Sequence, residues 1–205
     1  MVRVDKEYIF DGPRCKVSLA GLFGGRRQLI VFHVMFGPNW DAACPICTEF
    51  TSELTGAFVE RLRARDTAFV MACRAPLDRI EAYVAGPGWA VPCYSSYGSD
   101  FNYDFQVTLD ESVPQLEYNY RPEPDRLGGV QSTELSGASC FLRTDADGSD
   151  AGSARTDSGD GGEIYHTYSA YARGLDHVDL PYAFLDLTAL GGRNPGSSAR
   201  AARRR

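Results

Sequence analysis

Lysine is almost missing: Lys6 and Lys16 are the only two, and arginine carries nearly all the positive charge. That reads as coding bias before function. Acidic residues exceed basic ones, with a net charge of −6. The balance excludes a general electrostatic footprint for nucleic acid. Long hydrophobic runs are also missing. The longest, "QLIVFHVMF" (28–36), is far short of the roughly 20 residues that span a membrane, so no membrane partner is expected. The N-terminus "MVRVDKEYIF" lacks the basic-then-apolar order of a signal peptide. A cytoplasmic chain is therefore expected, with its six cysteines mostly reduced. Finally, there is no second C-x-x-C and no H-x-x-x-H, whereas a structural zinc site needs about four ligands. No metal and no bound cofactor are expected.

What is present is an α/β pattern. Residues 28–36 suit a central strand covered on both faces. From Pro45, apolar residues recur every four positions (Ile46, Phe50, Leu54, Phe58, Leu62), which predicts one amphipathic helix ending near Arg65. "TAFVMACRA" predicts a second buried strand, and "PLDRIEAYVA" a helix with Pro76 at its start. "WAVPCYSS" predicts a short strand in which Pro92 marks an edge or an end. "GASCFLRT" and "EIYHTYSAY" predict a hairpin pair, and "LPYAFLDLTAL" a closing helix. The order implies a mixed sheet with helices on both faces, forming a single domain over 1–192. Within it, 145–162 is built from Asp, Gly, Ser, Ala, Thr and one Arg, and is expected as a disordered hairpin-loop insert. Residues 193–205 are expected as a disordered basic tail.

The chemistry concentrates in "NWDAACPICTEF" (39–50). Cys44 and Cys47 lie where a buried strand passes into a helix, the place where functional groups gather in open α/β sheets. Cys44 is expected at the helix start, where free N–H groups and the dipole stabilise a thiolate. Pro45 fits the first helical turn. Cys47, one turn on, is placed to resolve a mixed disulfide. Asp41 and Glu49 oppose this by adding nearby negative charge. Redox chemistry is favoured over metal binding or simple packing. Among other candidates, Arg74 is expected at the same sheet edge, either beside the thiolate or an anion, or in a salt bridge to Asp78 or another loop carboxylate. The loop "SSYGSDFNYDF" offers Tyr97, Asp100 and Tyr103 as substrate contacts, and Trp40 lies just upstream of the cysteines. His166 is a candidate proton shuttle, sharing a strand face with Tyr168 by simple alternation. His33 is expected buried in the core. Cys73, Cys93 and Cys140 are expected as buried free thiols.

Three stretches, "SLAGLFGGRRQLIVFHVMFGPNWDAACPICTEF", "VMACRAPLDRIEAYVAGPGWAVPCYSSYGSDFNYDF" and "YHTYSAYARGLDHVDLPYAFLDLTALG", closely resemble the family labelled domain of unknown function 899. "SSYGSDFNYDF" and "HTYSAYARGLD" carry the resemblance most specifically. It implies a thioredoxin-like three-layer sandwich of the peroxiredoxin-related branch, with dithiol–disulfide chemistry as an expectation. The chain departs from the relatives of that superfamily at three places. Ala43, not Trp, precedes Cys44; Gly137, Ala138 and Ser139 stand where thioredoxins carry a proline; and Pro38 is one residue too close to Cys44 for a peroxiredoxin motif, whose Thr is missing. The expectation is a thiol–disulfide oxidoreductase with Cys44 as nucleophile and Cys47 resolving. It would act on a protein or small-molecule disulfide and be recharged by an external reductant. The alternatives are a thiol peroxidase acting on peroxide and a non-catalytic binding module.

Overall fold

The apolar run after Gln28 becomes the central strand because it can be covered on both sides. The computed structural model describes residues 1–86, 88–113, 116–122, 125, 127–144, 162–175 and 181–191. The insert expected over 145–162, apart from Gly162, and the tail over 193–205 lie outside the described residues.

The chain opens with three short strands, Val2–Arg3 (β1), Ile9–Asp11 (β2) and Lys16–Ser18 (β3), and a helical turn, Leu19–Leu22 (α1). The central strand Gln28–His33 (β4) leads to helices Pro45–Glu53 (α2) and Gly56–Arg63 (α3). Strand Thr67–Cys73 (β5), helix Leu77–Val84 (α4) and strand Cys93–Ser95 (β6) follow, then the turn Phe101–Asp104 (α5). Short strands Thr108–Asp110 (β7), Glu117–Tyr118 (β8), Arg121–Pro122 (β9) and Ser132–Glu134 (β10) precede the long hairpin of Gly137–Arg143 (β11) and Ile164–Tyr171 (β12). A 3-10 turn, Ala172–Leu175, and helix Pro181–Asp186 (α6) complete the described chain.

Eight strands form one mixed sheet in the order β1-β12-β11-β4-β5-β6-β2-β3. The pairs β4–β5 and β5–β6 are parallel and the rest antiparallel. Alternation sends Ile30, Phe32, Phe69, Met71, Cys73, Cys93 and Cys140 to one face, packed by α2, α3, α4 and α6. Leu29, Val31, Val70, Ala72 and Phe141 go to the other, under α1 and α5. This is the expected arrangement of a mixed sheet with helices on both faces. All six residues of β4 are buried, as the apolar run required. Its polar first residue is satisfied: the Gln28 amide donates to Thr67 Oγ1 (3.0 Å) and accepts from the Leu190 N–H (2.8 Å). Among the described residues, no helix is long and apolar enough to cross a membrane.

Two local expectations need correction. The single helix expected from Pro45 to Arg65 is two. Leu54 leaves the helical region (ψ 81°), and Thr55 restarts the helix as N-cap, accepting from the Phe58 N–H at 3.3 Å. Apolar residues at four-residue spacing run through the break, so periodicity alone could not show it. Of the two positions expected for Pro92, an edge or an end, it takes the end: it precedes β6, which has β5 and β2 on its two sides. Lastly, β12 is bulged. Cys140 pairs with Tyr168 but Phe141 pairs with His166, leaving Thr167 extra, its hydroxyl donating to the Cys140 carbonyl (3.1 Å). An inserted residue reverses the alternation. His166 and Tyr168 therefore lie on opposite faces, not the same one.

Candidate active site

Past His33, the chain stays fixed to the sheet for one more residue, the Val34 N–H donating to the Ala72 carbonyl at 2.9 Å. A tight loop follows. The Trp40 N–H donates to the Gly37 carbonyl (3.2 Å), and the Cys44 N–H donates to the Met35 carbonyl (2.9 Å). The Trp40 indole lies so close to Gly37 that a Cβ there would meet Nε1 at 2.8 Å, so any side chain at 37 would displace the indole. These contacts hold Cys44 at the C-terminal end of the central strand.

Cys44 is the N-cap of α2 in an extended conformation, with Pro45 at the first helical position and no acidic residue in the first turn. Its side chain makes no capping hydrogen bond. The free N–H groups of a helix start and the positive end of its dipole favour an anion at this position. Thr48 clamps the backbone, its N–H and its Oγ1 both donating to the Cys44 carbonyl at 3.0 Å; that same Oγ1 lies 2.7 Å from the Tyr83 hydroxyl. Asp41, the acid expected to oppose a thiolate, is fully exposed and lies 3.8 Å from the Arg79 guanidinium, which also donates to the Trp40 carbonyl at 3.0 Å.

Both thiols are free, Cys44 partly exposed and Cys47 buried at 3% exposure. Cys47 lies one helical turn on from Cys44, near enough for Cys44 to raise its thiol. Burial pushes the Cys47 thiol up to about 12, with the neighbouring Cys44 and Cys73 adding to the shift and the Met35 backbone opposing it. The pair is thus asymmetric: an accessible sulfur at a helix start, and a sealed one behind it. Beside Cys47 opens an apolar cavity of about 270 Å³, lined by Phe32, Met35, Ile46, Phe50, Leu175 and Phe184 among others. Ile46 belongs to the apolar stripe that predicted a core face, yet it is 74% exposed, at the rim of this cavity.

The remaining candidates divide into separate groups. Arg74 pairs neither with a thiolate nor with Asp78. Its Nη1 lies 3.2 Å from Glu134, with side-chain exposures of 12% and 2%, and its guanidinium covers the Tyr103 ring at 4.5 Å. Glu134 also accepts from Thr108 (2.7 Å) and Asn102 (3.5 Å), and Asn102 accepts from Ser96 (2.8 Å). Burial raises the Glu134 carboxyl above its ordinary value despite these donors. Asp78 instead accepts from the Arg79 N–H at 2.9 Å. Tyr97 is exposed after β6, and Asp100 pairs with Lys6 at 2.8 Å. His166 packs edge-on against Phe105 (5.1 Å), on the face away from α2. Its Nε2 lies 2.8 Å from Ser169 Oγ, which continues to Ser139 (3.0 Å) and the fully buried His33 (2.8 Å). Trp40 is thus the one additional candidate placed in the cysteine loop. Glu134, Thr108, Ser139 and Ser169 had no signal in the sequence, since isolated polar residues in short strands show no spacing pattern. Cys73, Cys93 and Cys140 are buried and free. Among the described residues, no group of three or more His, Cys, Asp or Glu side chains converges as a metal site.

The family described as "Bacterial protein of unknown function (DUF899)" matches residues 1–205. Among solved structures, peroxiredoxin Q of Xanthomonas campestris is similar, with 10% identity, a TM-score of 0.51, and 87% of this chain and 94% of that chain covered. The bacterioferritin comigratory protein of the same organism gives 10%, 0.48, and 83% and 86%. PrxQ of Xylella fastidiosa gives 10%, 0.44, and 85% of each chain. No curated protein matches. At such identities the likeness concerns the fold alone: a thioredoxin-like α/β sandwich of the peroxiredoxin type.

Proposed function

We propose that this chain, which belongs to the DUF899 family of bacterial proteins of unknown function, is a thiol–disulfide oxidoreductase. The observation that carries the reading is the asymmetric pair: Cys44 partly exposed at the N-cap of α2, Cys47 buried within reach of it. The Cys44 thiolate attacks one sulfur of a substrate disulfide, forming a mixed disulfide and expelling the first substrate thiol. Cys47 then attacks Cys44 Sγ, expels the second thiol, and leaves a Cys44–Cys47 disulfide. Two protons and two electrons pass from the enzyme dithiol to the substrate. An external dithiol reductant reverses the oxidation. The order of events follows from the electrostatics. A thiol pushed up to about 12 is a poor first nucleophile. Part of that shift comes from Cys44, whose charge disappears once the mixed disulfide forms.

Exposed Ile46 and the apolar cavity behind it supply a surface against which the substrate's non-polar groups can rest. A thiol peroxidase would use the same Cys44, but Arg74, the cation expected to assist it, is held by Glu134. A non-catalytic binding module based on the tyrosine-rich loop is weakened because Asp100 and Tyr103 are engaged by Lys6, Arg74 and Asp110. The cycle requires a reducing compartment, so cytoplasmic localisation belongs to the same proposal.

The test is turnover of an insulin-type disulfide by the reduced protein, beside hydrogen peroxide as competing oxidant. Disulfide reduction should be the faster reaction. Cys44→Ser should abolish it, and Cys47→Ser should stall at a mixed disulfide visible by intact mass. Unchanged turnover in Cys44→Ser refutes the assignment.

A further inference from the structure

The sheet has a second opening, at the other end from Cys44. It exists because β6 is too short to cover β5. The Met71 N–H donates to the Pro92 carbonyl (3.0 Å) and the Cys73 carbonyl accepts from Ser96 (2.8 Å), so the backbone groups of 69, 71 and 73 turn toward β6. β6 starts only at Cys93, and Pro92 has no N–H to offer the carbonyl of Phe69. Beside this uncovered half of β5 lies a cavity of about 480 Å³, within the range of small-molecule sites.

Its lining is unlike the rest of the molecule. In a chain with a net charge of −6, the cavity is lined by Arg14, Arg26 and Arg63 and, among the described residues, by no carboxylate. Arg63 pairs with Glu60 at 2.9 Å, while Arg14 and Arg26 have no ion pair among the described residues. The rest of the wall is apolar, formed by Val17, Leu22, Phe23, Val70 and Pro92, with the half-buried Tyr94 ring alongside. Burial raises the Tyr94 phenol, and the nearby Arg14 charge opposes that rise. Cys15, an exposed thiol, completes the lining.

We propose that this cavity binds a small phosphorylated organic molecule, with the phosphate held by Arg14 and Arg26 and the organic body against Leu22, Phe23 and Tyr94. Guanidinium forks match phosphate oxygens in geometry and charge. A cavity of this volume with one cationic and one apolar side suits an ester better than a bare ion. The proposal is independent of the dithiol chemistry, since Cys44 follows the C-terminal end of β4 and this cavity flanks the N-terminal half of its parallel neighbour β5.

The test is titration calorimetry on the reduced full chain with phenyl phosphate, inorganic phosphate, and sodium chloride at matched ionic strength. Phenyl phosphate should bind more tightly than inorganic phosphate, and chloride should give no saturable heat. Arg14→Gln and Arg26→Gln should each weaken phenyl phosphate about tenfold, the loss of one charge-assisted contact, without altering the circular dichroism spectrum or Cys44 alkylation. Bound phenyl phosphate should also slow alkylation of Cys15. The proposal is overturned if phenyl phosphate binds no better than inorganic phosphate, or if both arginine variants bind as the parent does.

Discussion

The asymmetry of the two thiols can be measured directly as a ratio of alkylation rates. Burial holds the Cys47 thiol up to about 12, whereas an ordinary thiol titrates near about 8.5. At about pH 7.5 the ionised fractions are then roughly 10⁻⁴·⁵ and roughly 10⁻¹, a ratio of about 3,000. A more basic thiolate is intrinsically more nucleophilic. With a Brønsted slope of about 0.5, that returns roughly 60-fold. Ionisation alone therefore leaves Cys47 about 50-fold slower than free cysteine, and its 3% exposure slows it further. The assay is timed iodoacetamide labelling of the reduced protein, read as site occupancy by peptide mass spectrometry, with free cysteine as the rate standard. In urea both cysteines should label alike, which assigns the difference to the fold. Cys44 should label first at every time point before completion. If Cys47 labels within tenfold of free cysteine, or ahead of Cys44, the order of attack proposed for the pair is wrong.

Three further outcomes follow from the same contacts. Glu134→Ala leaves the Arg74 charge buried without its partner and should cost about 3–5 kcal/mol in urea unfolding, while Glu134→Gln costs less; a loss under about 1 kcal/mol would show that the pair is not structurally coupled. Burial lowers the His33 imidazole to about 3, and its Nδ1 has no hydrogen-bond partner among the described residues. The unfolded chain takes up that proton near about 6.5, so stability should fall as pH drops below this value, by up to about 1.4 kcal/mol per unit, until about pH 3. His33→Gln should flatten that slope, and an unchanged slope would assign the acid sensitivity elsewhere. Thr55→Ala removes the cap of α3 and should cost about 1 kcal/mol, a fall of roughly 2–4 °C in the melting midpoint, read by calorimetry.

The sequence carried its information where the signal is local. A short, nearly continuous apolar run suits a strand covered on both faces, and β4 is one. A cysteine followed by proline beyond such a strand can occupy the N-cap position of the next helix, and Cys44 does. The fold likeness agrees with the reading of the sheet and its covering helices. Where distant segments meet, the reading failed or stopped. Strands of two or three residues, such as β1 to β3, have too little pattern to recognise; they exist because an edge of the sheet was available to pair with. Arg74 sits near an acid, as charged residues do, but which acid depended on β10 bringing Glu134 from 60 positions away. His166 was read from strict alternation, and one extra residue in β12 turned it to the far face.

The amino-acid order by itself determined the layer architecture and the position of the dithiol, because both depend on neighbours within one helical turn or one strand. The three-dimensional packing alone decided that Cys47 is sealed, that Arg74 is held by Glu134, and that a cationic cavity opens beside β5. Burial and charge pairing are properties of what a folded chain brings together, and no stretch of sequence records its future surroundings.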